Sequence, residues 1–179
     1  REVEEVLREL EEHIERSKRK SEESLKEIRR RIEEIEERSR RSLTELKKRI
    51  DDIKRRVEKD GPREKELDDL LKDLKRKADE HAKRLRDLLK ELEDRVREHE
   101  RDLERNLKEI KEKIEELERA GIDKEDLKRL LDKVTEVHKE SAKEIRKLLD
   151  EARKVIEDSL RAIRDILRKI KETIDRDKT

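Results

Sequence analysis

The chain has 179 residues, of which 61% are Asp, Glu, Lys or Arg and only 28% apolar, with 55 basic against 54 acidic side chains for a net charge of +1. That balance leaves no basic footprint for nucleic acid or an anionic membrane, and the absence of Phe, Tyr, Trp, Met and Cys excludes base stacking, disulfides and thiolate chemistry. No apolar run approaches the roughly 18 to 20 residues that cross a bilayer, so a soluble protein is expected, its localisation otherwise open; a first residue other than Met points to a recombinant product, with cytoplasmic expression the expectation, whose tag or leader was removed or lies outside this numbering.

The first predicted helix runs from about residue 2 to 59 and is closed by Asp60, Gly61 and Pro62. Gly61 suits the left-handed position after a helix, and Pro62 the first turn of the next. The second helix is predicted over about 63–119 and stops at Ala120 and Gly121. Ile122 then stands at N′, Asp123 caps, Asp126 complements the helix dipole at N3, and Leu127 at N4 can staple back to Ile122. The third helix follows over about 124–176. Each would be about 80 Å long at 1.5 Å per residue, and short loops make neighbours antiparallel. A charge content this high usually leaves a chain disordered, but here the apolar residues fall on narrow stripes.

Those stripes recur with a period of five helical turns. On the second helix the columns read Leu67, Leu85, Leu103; Leu71, Leu89, Leu107; and Leu74, Leu92, Ile110. On the third they read Leu127, Ile145, Ile163 and Leu131, Leu149, Leu167. Five turns of an ideal α-helix take about 18 residues, which is the spacing of these columns, so such a seam runs straight. A heptad repeat would force a left-handed supercoil instead. The expected fold is therefore all-α: one domain over 1–179, an elongated antiparallel three-helix bundle of long, essentially untwisted helices.

Polar residues interrupt the seam. On the first helix Val3, Leu7, Leu10 and Ile14 give way to Ser17, Ser21 and Ser24, and Ile28, Ile32 and Ile35 to Ser39 and Ser42; the second helix has His81, His99 and Asn106, the third His138, Ser141 and Ser159. Residues of the first two helices lie at one height when their numbers add to about 124, and the third is offset from the first by about 120. On that ruler Ser17, Ser21 and Ser24 meet His99, Asn106, His138 and Ser141, while Ser39 and Ser42 meet His81 and Ser159. These residue types can satisfy one another's donors and acceptors out of water, and an unsatisfied buried member would cost about 1–3 kcal/mol. Two structural polar networks that penalise slipped registers are expected.

No cofactor and no metal are expected, because His81 and His99 stand five turns apart on one helix and His138 brings Ser and Asn neighbours where zinc wants three or four converging ligands. Catalysis is not expected either: no buried carboxylate is placed to orient an imidazole, and no glycine-rich turn offers an oxyanion hole. His13 shares a column with Arg31 and Arg49 and reads as a boundary residue. If His81, His99 and His138 are buried neutral, their folded pKa values fall below about 6.5 and stability declines as pH drops through that value.

With its five-turn columns, near-equal helices, idealised cap at Asp123 and matched Ser, His and Asn layers, the chain resembles de novo designed, parametric helical bundles with buried hydrogen-bond networks. The resemblance implies a scaffold with no natural substrate, monomeric and without a required partner. Spectrin-type repeats also stack three long helices, but they are usually shorter, supercoiled and anchored by aromatic residues that are missing here. The alternative is an interaction or self-assembly module, a homo-oligomer or the acceptor of a partner helix, responsive to pH through its histidines. The flank residues Val137, Val155 and Leu160 decide between these: they either widen the core or form an exposed patch.

Overall fold

The computed structural model of the chain describes residues 3–61 and 64–177, apart from the side chains of residues 60, 64 and 177. It is all-α, with three long helices packed together: α1 (Val3–Asp60), α2 (Glu64–Arg119) and α3 (Lys124–Asp177). Their bounds fall within one residue of those expected. Gly61 has φ +71° and donates its N–H to the Val57 carbonyl at 3.1 Å, the single-bond left-handed cap. Pro62, expected to open α2, lies outside the described residues.

The second loop closes more tightly. Gly121 has φ +91°, its N–H reaches the Glu118 carbonyl at 3.1 Å, and the Ile122 N–H reaches Leu117 at 3.2 Å, the paired bonds of a Schellman motif. The Asp123 carboxylate accepts from the Glu125 N–H at 3.1 Å, capping α3. Ile122 packs against the cluster that contains Leu127, as a staple requires.

The chain forms two compact units: Arg1–Arg31 with Leu92–Leu149, and Ile32–Glu91 with Asp150–Thr179. In the first, Val6, Leu10, Ile110, Ile114, Leu117, Leu127 and Val134 make a buried cluster. Here the α1 seam centres on Val6 and Leu10, with Val3 and Leu7 only half-buried, which corrects the stripe drawn through Val3 and Leu7. In the second unit the core holds Ile35, Leu46, Leu74, Leu85, Ile156 and Ile163, with Ala78 and Ala152 fully buried among them.

Polar contacts mark the face that each helix turns to its neighbour. Within the first unit Glu9 pairs with Lys113 at 3.5 Å, His13 with Glu109 at 2.6 Å and Glu27 with Arg95 at 2.9 Å. Within the second, Arg49 pairs with Asp73 at 2.6 Å. Partners on α2 descend as those on α1 ascend, with numbers adding to about 122, the order that neighbours of opposite direction give at equal rise. Against α3 the first unit pairs Ser21 with Ser141 and Arg29 with Glu144.

Candidate functional site

The polar layer of the second unit centres on His81. Ser42, only 1% exposed, brings its hydroxyl to 2.9 Å from His81 Nδ1, and Glu45 brings a carboxylate to 3.1 Å from Nε2. Which ring nitrogen donates depends on the tautomer; with the ring hydrogen on Nε2, Nδ1 accepts from the Ser42 hydroxyl. The Nε2 contact is an electrostatic one, off the line of a straight hydrogen bond. An acid does face this imidazole, then; it comes from Glu45 at the edge of the seam, about half exposed, where the sequence pattern pointed to no buried one. The serine–histidine–glutamate order is that of a hydrolase relay, but Ser42 is sealed in the core and its surroundings are helical backbone whose N–H groups are already used. What the arrangement does is join α1 to α2 through Ser42 and His81. Ser39 is buried with Oγ unpartnered among the described residues, and Ser159 is buried without a hydrogen bond to Ser42 or His81.

The first unit is wired differently. Arg95, whose side chain is 18% exposed, donates from Nη2 to Ser24 at 3.1 Å and from Nε to Glu27 at 2.9 Å. The hydrogen bond from Arg95 holds the Glu27 carboxyl below its ordinary value, and Arg31 adds to this. Ser21 and Ser141 stand 3.4 Å apart across α1 and α3. The remaining members are not joined: Ser17 Oγ, His99 Nε2 and His138 Nδ1 are buried without a hydrogen-bond partner among the described residues, and Asn106 is half-buried with no hydrogen bond to any of them. Burial pushes both His99 and His138 below the ordinary imidazole value; at His99 the charge of Arg95 pushes the same way and Asp102 opposes it.

Arg95, Glu27, Glu45 and Glu109 are the site residues that the polar interruptions did not reveal. Their signal lay in the charged columns beside the seam. Glu9, Glu27 and Glu45 share one such column on α1, and their partners are Lys113, Arg95 and His81. His13 and Arg49 share another, with partners Glu109 and Asp73. His13, expected at the boundary, sits there with its side chain 18% exposed.

Among the described residues there is no group of three or more His, Cys, Asp or Glu placed to hold a metal ion, and no helix is long and apolar enough to cross a membrane. No protein-family model matches the chain, and no curated protein matches it. The fold is similar to a solved structure described as a computationally designed three helix bundle, with 24% identity, a TM-score of 0.45, and 98% of this chain and 94% of that one covered.

Proposed function

We propose that the chain is a scaffold of the designed kind, monomeric and without a natural substrate, whose seam Ser, His and Asn positions fix which helix faces meet and at what height. The observation that carries this reading is an asymmetry within the repeat. Ser24 and Ser42, His99 and His81, and Ser141 and Ser159 each stand one repeat apart, so those positions survive a slide of five turns, about 27 Å. Ser17, Asn106 and His138 do not, because the equivalent places are held by Ile35, Leu88 and Ile156, all buried. They make the first unit's seam differ from the second's, which a uniform apolar seam cannot do.

Replacing them by the residues of their own columns, Ser17→Ile, Asn106→Leu and His138→Ile, tests the idea. The triple variant is expected to raise the guanidinium midpoint while sedimentation velocity shows dimers and larger species beside the 21.9 kDa monomer. A triple variant that stays wholly monomeric, with one set of amide resonances, would leave the three polar residues without this role.

A second reading, a pH-responsive interaction module, is favoured by the burial of His99 and His138 in one unit. Protonating either ring in place would leave a buried charge, and opening the unit relieves it.

A further inference from the structure

We propose that the first unit is an acid switch: protonation of His99 and His138 opens it, while the second unit stays closed. This rests on the pH-responsive reading above and adds which unit answers to acid and why the other does not.

The histidines fall into two sorts by what faces them. His13 Nε2 stands 2.6 Å from a Glu109 oxygen, and His81 has the Ser42 hydroxyl 2.9 Å from Nδ1 and Glu45 3.1 Å from Nε2. A charged imidazole donates from both nitrogens, and at His81 an oxygen stands opposite each. Protonating these two rings in place therefore pairs charges across α1 and α2. Both carboxylates are nearly half exposed, so the gain is small and nothing has to open.

His99 and His138 have no such partner. His99 is 1% exposed with Nε2 closed to solvent and unpartnered among the described residues, and Nδ1 of His138 is in the same state. A proton on either ring leaves an N–H there without an acceptor and a charge without a counter-ion. The surrounding groups do not match it. From α1, Ser24 and Glu27 are both taken by Arg95; on α2, Arg95 repels a charged His99 while Asp102 attracts it; from α3, His138 repels it in turn. Around His138, α1 brings Glu15, Lys18 and Glu22, α3 brings Lys133, Glu140 and Glu144, and α2 brings Ile110 and His99. None of these carboxylates pairs with the ring among the described residues, and Glu144 is held by Arg29. Burial pushes both rings below the ordinary imidazole value, the direction these surroundings require. The rings stand on different helices and His99 is sealed, so the helices must part before the charge is hydrated.

The second unit has no equivalent. Buried Ile156 holds the place of His138, and the place of His99 is held by His81 with its carboxylate. Glu27 and Asp73, held low chiefly by Arg95 and Arg76, stay ionised at pH 5.5, so histidine is the residue type that changes charge between there and pH 7.5.

Hydrogen exchange read by mass spectrometry at pH 7.5 and 5.5, corrected for the intrinsic rate, tests this. Protection in 8–28 and 95–116 is expected to fall by about tenfold or more, since each ring that is neutral when closed and charged when open contributes up to about tenfold over that interval. Protection in 34–56 and 68–90 should change by less than about threefold. His99→Leu with His138→Leu should abolish the fall in the first unit, and His81→Leu should leave it in place. An equal fall in both units would overturn the proposal while the pH-responsive reading stood. No fall in either unit, or a fall that persists in the double variant, would overturn both.

Discussion

Lys77 and Arg95 stand five turns apart on α2, and the difference between an ammonium and a guanidinium accounts for the two wirings of the serine and histidine layers. Around them the residue types are the same: Ser42 and Ser24, Glu45 and Glu27, His81 and His99. Lys77 turns toward Glu80 on its own helix at 3.7 Å, leaving Ser42 and Glu45 to His81. Arg95 takes Ser24 and Glu27 at once, because its planar fork presents two donors where lysine presents a compact point charge. His99 is thereby left without them. In Arg95→Lys, Ser24 and Glu27 are expected to swing to His99 and raise its titration point above that of the wild type, read from the imidazole Cε1–H shift. An unmoved titration would mean that Arg95 is not what keeps the ring unpaired. In the wild type, burial holds His99 and His138 below 6.5, so between that value and their folded pKa values the unfolded chain carries more protons than the native one. Stability is therefore full above about pH 6.5 and declines below it. Glu27 and Asp73, lowered chiefly by Arg95 and Arg76, lose their contribution only as pH falls below 4.5 and 3.8, so the histidine window lies above theirs. The guanidinium midpoint should be lower at pH 5.5 than at 7.5, and His99→Leu with His138→Leu should bring the two together; a wild type with equal midpoints would contradict the sign.

At the scale of the helix, what could be read from the sequence is what depends on spacing alone. Gly61, Gly121 and Asp123 mark helix ends because only backbone geometry is involved, and the bonds from Gly61 to Val57 and from Ile122 to Leu117 form where the residue types require them. Columns such as Leu74, Leu92 and Ile110 locate the core because burial follows the helical angle; all three are at most 1% exposed. Leu71, Leu89 and Leu107 share that periodicity yet are only half-buried, since a column's distance from the centre of the seam depends on how the three helices are rotated, which spacing does not give. The candidate site was less legible for a different reason. Residue numbers place Ser24, His99 and Arg95 at similar heights, but side-chain reach decides who meets whom, and Arg95 counts as surface in any polar-or-apolar reading although its stem is packed. The division into two units also left no mark, because residues 31, 91 and 149 lie inside continuous helices with no Gly or Pro nearby.

At the scale of the whole molecule, the two units share one repeat but differ in what fills it. The first carries Ser17, Asn106 and His138 where the second carries Ile35, Leu88 and Ile156. Exchanging a fully buried isoleucine for serine forgoes about 1.5–3 kcal/mol of apolar burial, and each buried polar atom left unpaired costs about 1–3 kcal/mol more. Among the described residues, apart from atoms that face a carboxylate, the unpaired buried ones are Ser17 Oγ, His99 Nε2 and His138 Nδ1 in the first unit against Ser39 Oγ in the second. The deficit is therefore about several kcal/mol and lies on one side. Exposed charge cannot offset it, because surface ion pairs contribute only about 0–1 kcal/mol each and both units carry them on every helix. Each unit is compact in itself, so a deficit within one lowers the free energy of its own opening before it lowers that of the whole. Native-state hydrogen exchange is therefore expected to show weaker protection of the amides in 8–28 and 95–116 than of those in 34–56 and 68–90, with all four segments taken away from the helix ends. Filling the first unit with Ser17→Ile and His138→Ile should bring the segments level. Equal protection in the wild type, or a first unit that outlasts the second, would show that the polar residues find partners strong enough to repay their burial.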